Sequence, residues 1–228
     1  MLTVKNQTLR AIMRLVIPFV LIPATAILGV TVFDSKKHIY ISLFIAILSV
    51  FLFIAGFEKK QTGSRRMVIV AVMTALSVVG RFIPFFKPIT AITVITGAYL
   101  GGEAGFLVGA LSALISNFYF GQGPWTAFQM LSWGLVGLFA GFLGKALRKH
   151  KLLLVMYGVL TGITYSLTMD VWSVIWYNGA FNAKLFTAAI VTALPFTVIY
   201  SLSNFIFLML MAKPFGDKLE RIKVKYGV

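Results

Sequence analysis

The chain has no cysteine among its 228 residues. That excludes a disulfide, a thiolate metal site and a thiol nucleophile. Charge is scarce too: 12% of residues are Asp, Glu, Lys or Arg, where a soluble domain carries about a quarter. Only six carboxylates occur: Asp34, Glu58, Glu103, Asp170, Asp217 and Glu220. Five fall in expected loops or the tail, and no two are spaced for acid–base work. Two histidines, His38 and His150, cannot by themselves build a metal site. No glycine loop ends in Lys-Ser/Thr, so that route to ATP is closed. These absences argue against an enzyme. They also argue against a proton- or sodium-coupled carrier, which buries ionisable groups at mid-membrane.

What is present is apolar: 59% hydrophobic residues and a mean hydropathy of +0.93. The chain is expected to be an all-α integral membrane protein. The net charge of +15 does not indicate nucleic acid, because Lys and Arg cluster between apolar segments. The first apolar stretch is too long for a signal h-region and has no small-residue cleavage site before the next span.

At ~20 apolar residues per crossing, eight spans are expected. They run over 15–33, 38–57, 67–85, 89–100, 104–118, 125–144, from 152 to a frayed end near 170–177, and 185–212. The division at 101–103 is the least obvious, and charge decides it. With eight spans, 16 of the 21 basic residues lie on the side of both termini. Merging the fourth and fifth spans would scatter them. Both termini are therefore placed in the cytoplasm.

That topology sends 118–130 outward: Phe-Tyr-Phe-Gly-Gln-Gly-Pro-Trp-Thr-Ala-Phe-Gln-Met. It lies within Ala104–Gly144, a run of 41 residues without a formal charge. Hydrogen-bonding groups sit there beside aromatic rings, as a small-molecule pocket requires. Gln122, Thr126, Gln129 and Asn117 would orient a ligand, and Pro124 suits the first turn of the following helix. An interfacial aromatic belt is the competing account. All four tryptophans, Trp125, Trp133, Trp172 and Trp176, fall in the outward half or near mid-span, which favours a pocket. Asp170 is either a ligand-facing carboxylate or an interfacial charge neutralised by Arg81 or Lys87. Gly97, Gly101, Gly105 and Gly109, and Gly134, Gly137, Gly141 and Gly144, are expected to pack helices closely. Ala71 and Ala75 form a further small-residue pair.

Residues 67–212 resemble the S component, the substrate-binding membrane subunit, of energy-coupling factor (ECF) vitamin transporters. Four features carry the resemblance: six spans after a basic loop, Ala71-xxx-Ala75 in the first of them, the glycine-rich turn from Gly97, and Gly121-Gln-Gly-Pro-Trp-Thr-Ala-Phe-Gln-Met130. Similar proteins often have a second proline where Ala127 stands. The resemblance implies a six-helix substrate-binding core (67–212). An N-terminal transmembrane hairpin and basic cytoplasmic loop (1–66) precede it, and a basic cytoplasmic tail (213–228) follows. It implies capture of a vitamin from outside a bacterial cell membrane and docking through Ala71 and Ala75 on a T component. Two cytoplasmic ATPase subunits then bind ATP, and this chain carries no cofactor. The match is nearest to S components for cobalamin and related corrinoids, with riboflavin or a queuosine precursor as alternatives. The substrate-binding candidates are Arg81, Phe86, Asn117, Tyr119, Gln122, Trp125, Thr126, Gln129, Asp170 and Trp176. A self-sufficient secondary carrier and a ligand-free scaffold are the competing classes. Paired inverted halves with broken helices are not evident, and a scaffold gives no reason for the polar-aromatic stretch.

Overall fold

The computed structural model describes residues 6–31, 38–56 and 60–226. Among them all regular structure is helical. The expected turn at Asp34–Lys37 and the residues Glu58 and Lys59 lie outside the described residues.

The first helix starts earlier than its apolar run suggests. Asn6 accepts from the Thr8 and Leu9 amides at 2.9 and 3.2 Å, an N-cap that begins α1 at Gln7–Val16. A π-helical turn, Ile17–Leu21, follows at Pro18, whose missing N–H breaks the regular ladder. The chain continues as α2 (Ile22–Thr31) and α3 (His38–Ala55). These elements are not an appendage. Ile22, Ile45 and Leu52 are fully buried in one cluster with Phe106 and Met130 of later helices.

Helix α4 (Lys60–Gly80) leads through a turn at 81–88 to α5 (Ile89–Leu100). Gly101, at φ +98°, reverses the chain into α6 (Gly102–Phe120). An L side chain rarely adopts that dihedral, so glycine is what makes two helices of this segment. A second reversal at Gly121 leads to α7 (Trp125–Phe142), followed by the short α8 (Gly144–Lys149) and α9 (Lys151–Asn178). The last helix, α10, runs from Ala183 to Tyr226. It continues past Ala212, the expected end of the last span, through most of the basic tail. It passes through Pro214 because its far end packs on α5: Leu219 is buried, and Gly216 lies against the Tyr99 ring.

Helices α5, α6 and α7 form the centre. A Cβ on Gly97 would collide with the Gly137 carbonyl oxygen, and one on Gly137 with the Gly105 backbone. One on Gly141 would meet the Gly102 backbone. The glycine pattern therefore does pack helices, backbone against backbone. The 7–29, 102–120, 151–178 and 183–225 segments are each long and apolar enough to cross a membrane; 39–55 and 89–100 are shorter apolar helices.

The two ends of the bundle differ. At the Gly101 end the terminal carbonyls of α5 have no intrahelical partners, and three cations from three other helices cap them. Arg148 donates to Ala98 O at 2.9 Å, Lys223 to Tyr99 O at 2.9 Å, and Arg66 to Leu100 O. Cations at a helix C-terminus also meet the negative end of its dipole. Beside them Arg14 of α1 forms an ion pair with Glu103, which is only 5% exposed. The Gly121 end carries the 81–88 turn and the aromatic residues.

Candidate functional site

The site grows from three positions that share one face of α7: Thr126, Gln129 and Trp133, spaced by three and four residues. Opposite them on α6 stands Asn117, 1% exposed. Its amide nitrogen donates to Thr126 Oγ1 at 2.9 Å and to Gln129 Oε1 at 2.8 Å. Its oxygen accepts from Arg81 Nη1 at 2.6 Å. Arg81 also donates to the Ser116 hydroxyl. Gln129 donates onward to the Tyr165 hydroxyl of α9 at 3.2 Å. Thr126 donates to Gln122 Oε1 at 3.0 Å, and Gln122 in turn donates to Leu114 O at 2.8 Å. One connected network thus joins the end of α4 to α6, α7 and α9.

Arg81 is 9% exposed. Among the described residues no carboxylate pairs with it. Its guanidinium lies over the Phe120 ring at 5.0 Å and the Trp133 ring at 5.3 Å. Ring faces and amide or hydroxyl oxygens hold the cation and leave its net charge uncancelled.

Trp133 and Tyr165 stack in parallel, 5.0 Å between centroids at 3°. Tyr200 meets the edge of Tyr165 at 5.2 Å. Below them is a small cavity of about 30 Å³ lined by Lys87, Thr90, Trp133, Tyr165, Tyr200 and Ser203, among others. Ser203 closes one wall. It accepts from the Lys87 amide at 2.8 Å and donates to the Lys87 carbonyl at 3.0 Å, tying the 81–88 turn to α10. In that turn Phe85 has φ +62°, a costly conformation for a bulky residue and one concentrated at functional loops.

Six of the ten candidates meet here or at its rim. Arg81, Asn117, Thr126, Gln129 and Gln122 share the network, and Trp125 begins the helix that carries it. The Trp125 ring folds back over Gly123 and meets Trp172 edge-on at 5.9 Å. The Trp172 indole N–H is buried without a partner. The other four stand apart from the network. Tyr119 is 72% exposed and packs on Phe82 and Phe120, 4.6 and 5.1 Å between centroids. Phe86 is half-buried in the turn, and Trp176 packs against the hydrophobic core. Asp170 is buried on α9 but forms no ion pair with Arg81 or Lys87, so neutralisation by either cation is not what the structure shows. Sequence reasoning did not single out Tyr165, Tyr200, Ser203 or Asn204 as site residues. The last three share a helix face at i, i+3 and i+4, and polar residues so spaced in an apolar helix are a usable signal. Of the docking pair, Ala71 and Ala75 are exposed on α4 within a stripe with Val68, Val72, Leu76 and Val79.

A family model described as "ECF-type riboflavin transporter, S component" matches residues 61–219. The match takes in α4 to α9 and most of α10, and with them every residue of the network; α1 to α3 lie outside it. No curated protein and no solved structure matches the chain. Since the matched segment covers well over half of the sequence, the chain belongs to the S-component family of ECF-type riboflavin transporters, a family of substrate-binding membrane subunits and not of enzymes.

Proposed function

We propose that this subunit captures a planar heteroaromatic vitamin at the Gly121 end of the bundle, and that the vitamin is riboflavin. The observation that carries this reading is Arg81. A buried guanidinium without a carboxylate partner is costly, and a ligand carbonyl or ring nitrogen beside it would offset part of that cost. The parallel Trp133–Tyr165 pair supplies flat apolar surface of the size of a fused ring system. Gln129 and the Tyr165 hydroxyl supply orienting hydrogen bonds. The narrow cavity must widen for any ligand, and hinging the 81–88 turn away from Ser203 would open it. The family description supports the same vitamin.

The Gly121 end then faces outside and the Gly101 end the cytoplasm of a bacterial cell. The excess of Lys and Arg at the Gly101 end supports that orientation. Docking on a T component, with two ATPase subunits supplying ATP hydrolysis, follows from the family.

A corrinoid such as cobalamin is the second reading. The exposed aromatic group of Phe82, Phe85, Tyr119 and Phe120 favours it, because a large ring could rest there without entering the bundle. Calorimetric titration of the purified protein with riboflavin and cobalamin separates the two. Riboflavin is expected to bind, and Arg81→Gln to weaken it at least tenfold, since hydrogen bonds to charged groups contribute about 1.5–3 kcal/mol. Tight cobalamin binding without riboflavin binding would overturn the choice.

A further inference from the structure

At the Gly101 end a pocket of about 350 Å³ lies between α5, α8, α9 and α10. No residue of α4 lines it, so it is separate from the Ala71–Ala75 face. Its inner wall is apolar: Leu147, Leu154 and Leu208 are buried there. Tyr99 also lines it, with the Arg148 guanidinium 5.5 Å from its ring centroid. Arg148 is already held by the Ala98 carbonyl and forms part of the wall.

The mouth carries charge of both signs. Lys149 ends α8 and Lys151 begins α9. On α10, Met209, Lys213, Asp217 and Glu220 follow at intervals of four, four and three residues, so they share one face. All of these side chains are exposed. Among the described residues, none of the three lysines or two carboxylates has a partner of opposite charge within ion-pair distance. Asp217, Glu220 and Arg148 are all close enough to the Tyr99 hydroxyl to act on it electrostatically.

Unpaired charges of both signs around one apolar-walled pocket suit a ligand that carries both. A simple anion would be opposed by the two carboxylates, and a simple cation by the lysines. A phosphate with an amine attached satisfies both sets, through hydrogen bonds between ionised groups. A primary ammonium donates to carboxylates, whereas a quaternary one has no N–H to give. The exposed side chains of Met209 and Leu210 carry the apolar wall outward to the lipid.

We infer that this pocket holds the headgroup of one phosphatidylethanolamine molecule from the leaflet at the Gly101 end. The phosphate lies among Lys149, Lys151 and Lys213, the ammonium at Asp217 and Glu220, and the acyl chains leave past Met209. A pocket at the small end of ligand-site volumes takes a headgroup and leaves both chains outside. The site needs a membrane at this end of the bundle and no particular vitamin. A lipid held there bridges α8 and α9 to the far part of α10, beside the cations that cap α5.

The test is native mass spectrometry of the detergent-purified chain, titrated separately with the dioleoyl forms of phosphatidylethanolamine, phosphatidylglycerol and phosphatidylcholine. The acyl chains are identical, so only the headgroup differs. Phosphatidylethanolamine adducts are expected at several times the level of either other lipid. The triple variant K149Q/K151Q/K213Q should reduce them at least tenfold. The double variant D217N/E220Q should reduce them about fivefold while leaving phosphatidylglycerol adducts no lower than in the parent. An unchanged helical circular-dichroism spectrum and melting temperature would show that both variants are folded. A control, K218Q/R221Q, removes two exposed cations of α10 that do not line the pocket; it should leave the adducts unchanged. Equal binding of the three lipids, or phosphatidylglycerol bound best, would overturn the proposal. So would an equal loss in the control, which would make the effect general surface charge. Displacement of the lipid by an equal concentration of glycerophosphoethanolamine would assign the pocket to a soluble phosphoester instead.

Discussion

Asn117 is the residue on which the site network turns. It spends both amide protons, on Thr126 and Gln129, and its oxygen holds Arg81. A side chain with two donors and one acceptor oxygen has little left to offer. Replacing it by alanine leaves several buried polar groups without their partner at once, at about 1–3 kcal/mol for each that water cannot reach. Asn117→Ala is therefore expected to lower the thermal unfolding midpoint in detergent and to weaken vitamin binding at least tenfold. Tyr119, two residues on, should behave differently. Its ring is exposed and packs on the Phe82 and Phe120 rings. Tyr119→Ala should leave the dissociation constant within about twofold, the range of most surface substitutions. A large loss of affinity in Tyr119→Ala, measured in the same titration, would move the ligand out to the Phe82–Phe120 aromatic group and favour the corrinoid reading.

At the scale of elements, the structure depends on three backbones that nearly touch. Gly137 faces Gly105 with no room for a methyl group, because the obstructing atoms are main-chain and cannot rotate away. Gly137→Ala must push α6 from α7, and overpacking of this kind costs about 1–3 kcal/mol. The expected result is a clear fall in melting temperature. Gly179→Ala is the contrast, since a Cβ there meets nothing within 4 Å and only its φ of +76° opposes the change. A Gly137→Ala protein as stable as the parent would show that the helices can separate freely. This layer was legible in the sequence. Glycines recur every four residues, and the reversal at Gly101 followed from the distribution of Lys and Arg. The α6–α7 half of the site was legible too, because Asn117, Gln122, Thr126 and Gln129 lie within thirteen residues of one another. The other half was not. Tyr165 reaches Gln129 across 36 positions, and Ser203 reaches Lys87 across 116. No periodicity within one helix reveals which neighbour it will face. The helical tail was also hidden: a basic, proline-containing stretch after an apolar run resembles a loop until its packing on Tyr99 is seen.

For the whole molecule, the arrangement of faces bears on assembly. Helices α1 to α3, outside the segment that matches the family, cover α6 and α7, and the Arg14–Glu103 pair fastens them at the Gly101 end. They leave α4 uncovered along Val68, Ala71, Val72, Ala75, Leu76 and Val79. Small residues at i and i+4 on an open membrane face allow a partner helix to approach its backbone. The polar network begins at Arg81, six residues beyond Ala75 and buried where Ala71 and Ala75 are exposed, so bulk added at those two positions stays on the outer face. Ala71→Trp with Ala75→Trp is therefore expected to abolish co-purification with the T component and the ATPase subunits while leaving vitamin affinity unchanged. Uptake by cells carrying the variant should fall to the level of cells lacking those subunits. Retained assembly would show that docking uses another face. Parent-level uptake without the ATPase subunits would mean that the chain transports by itself.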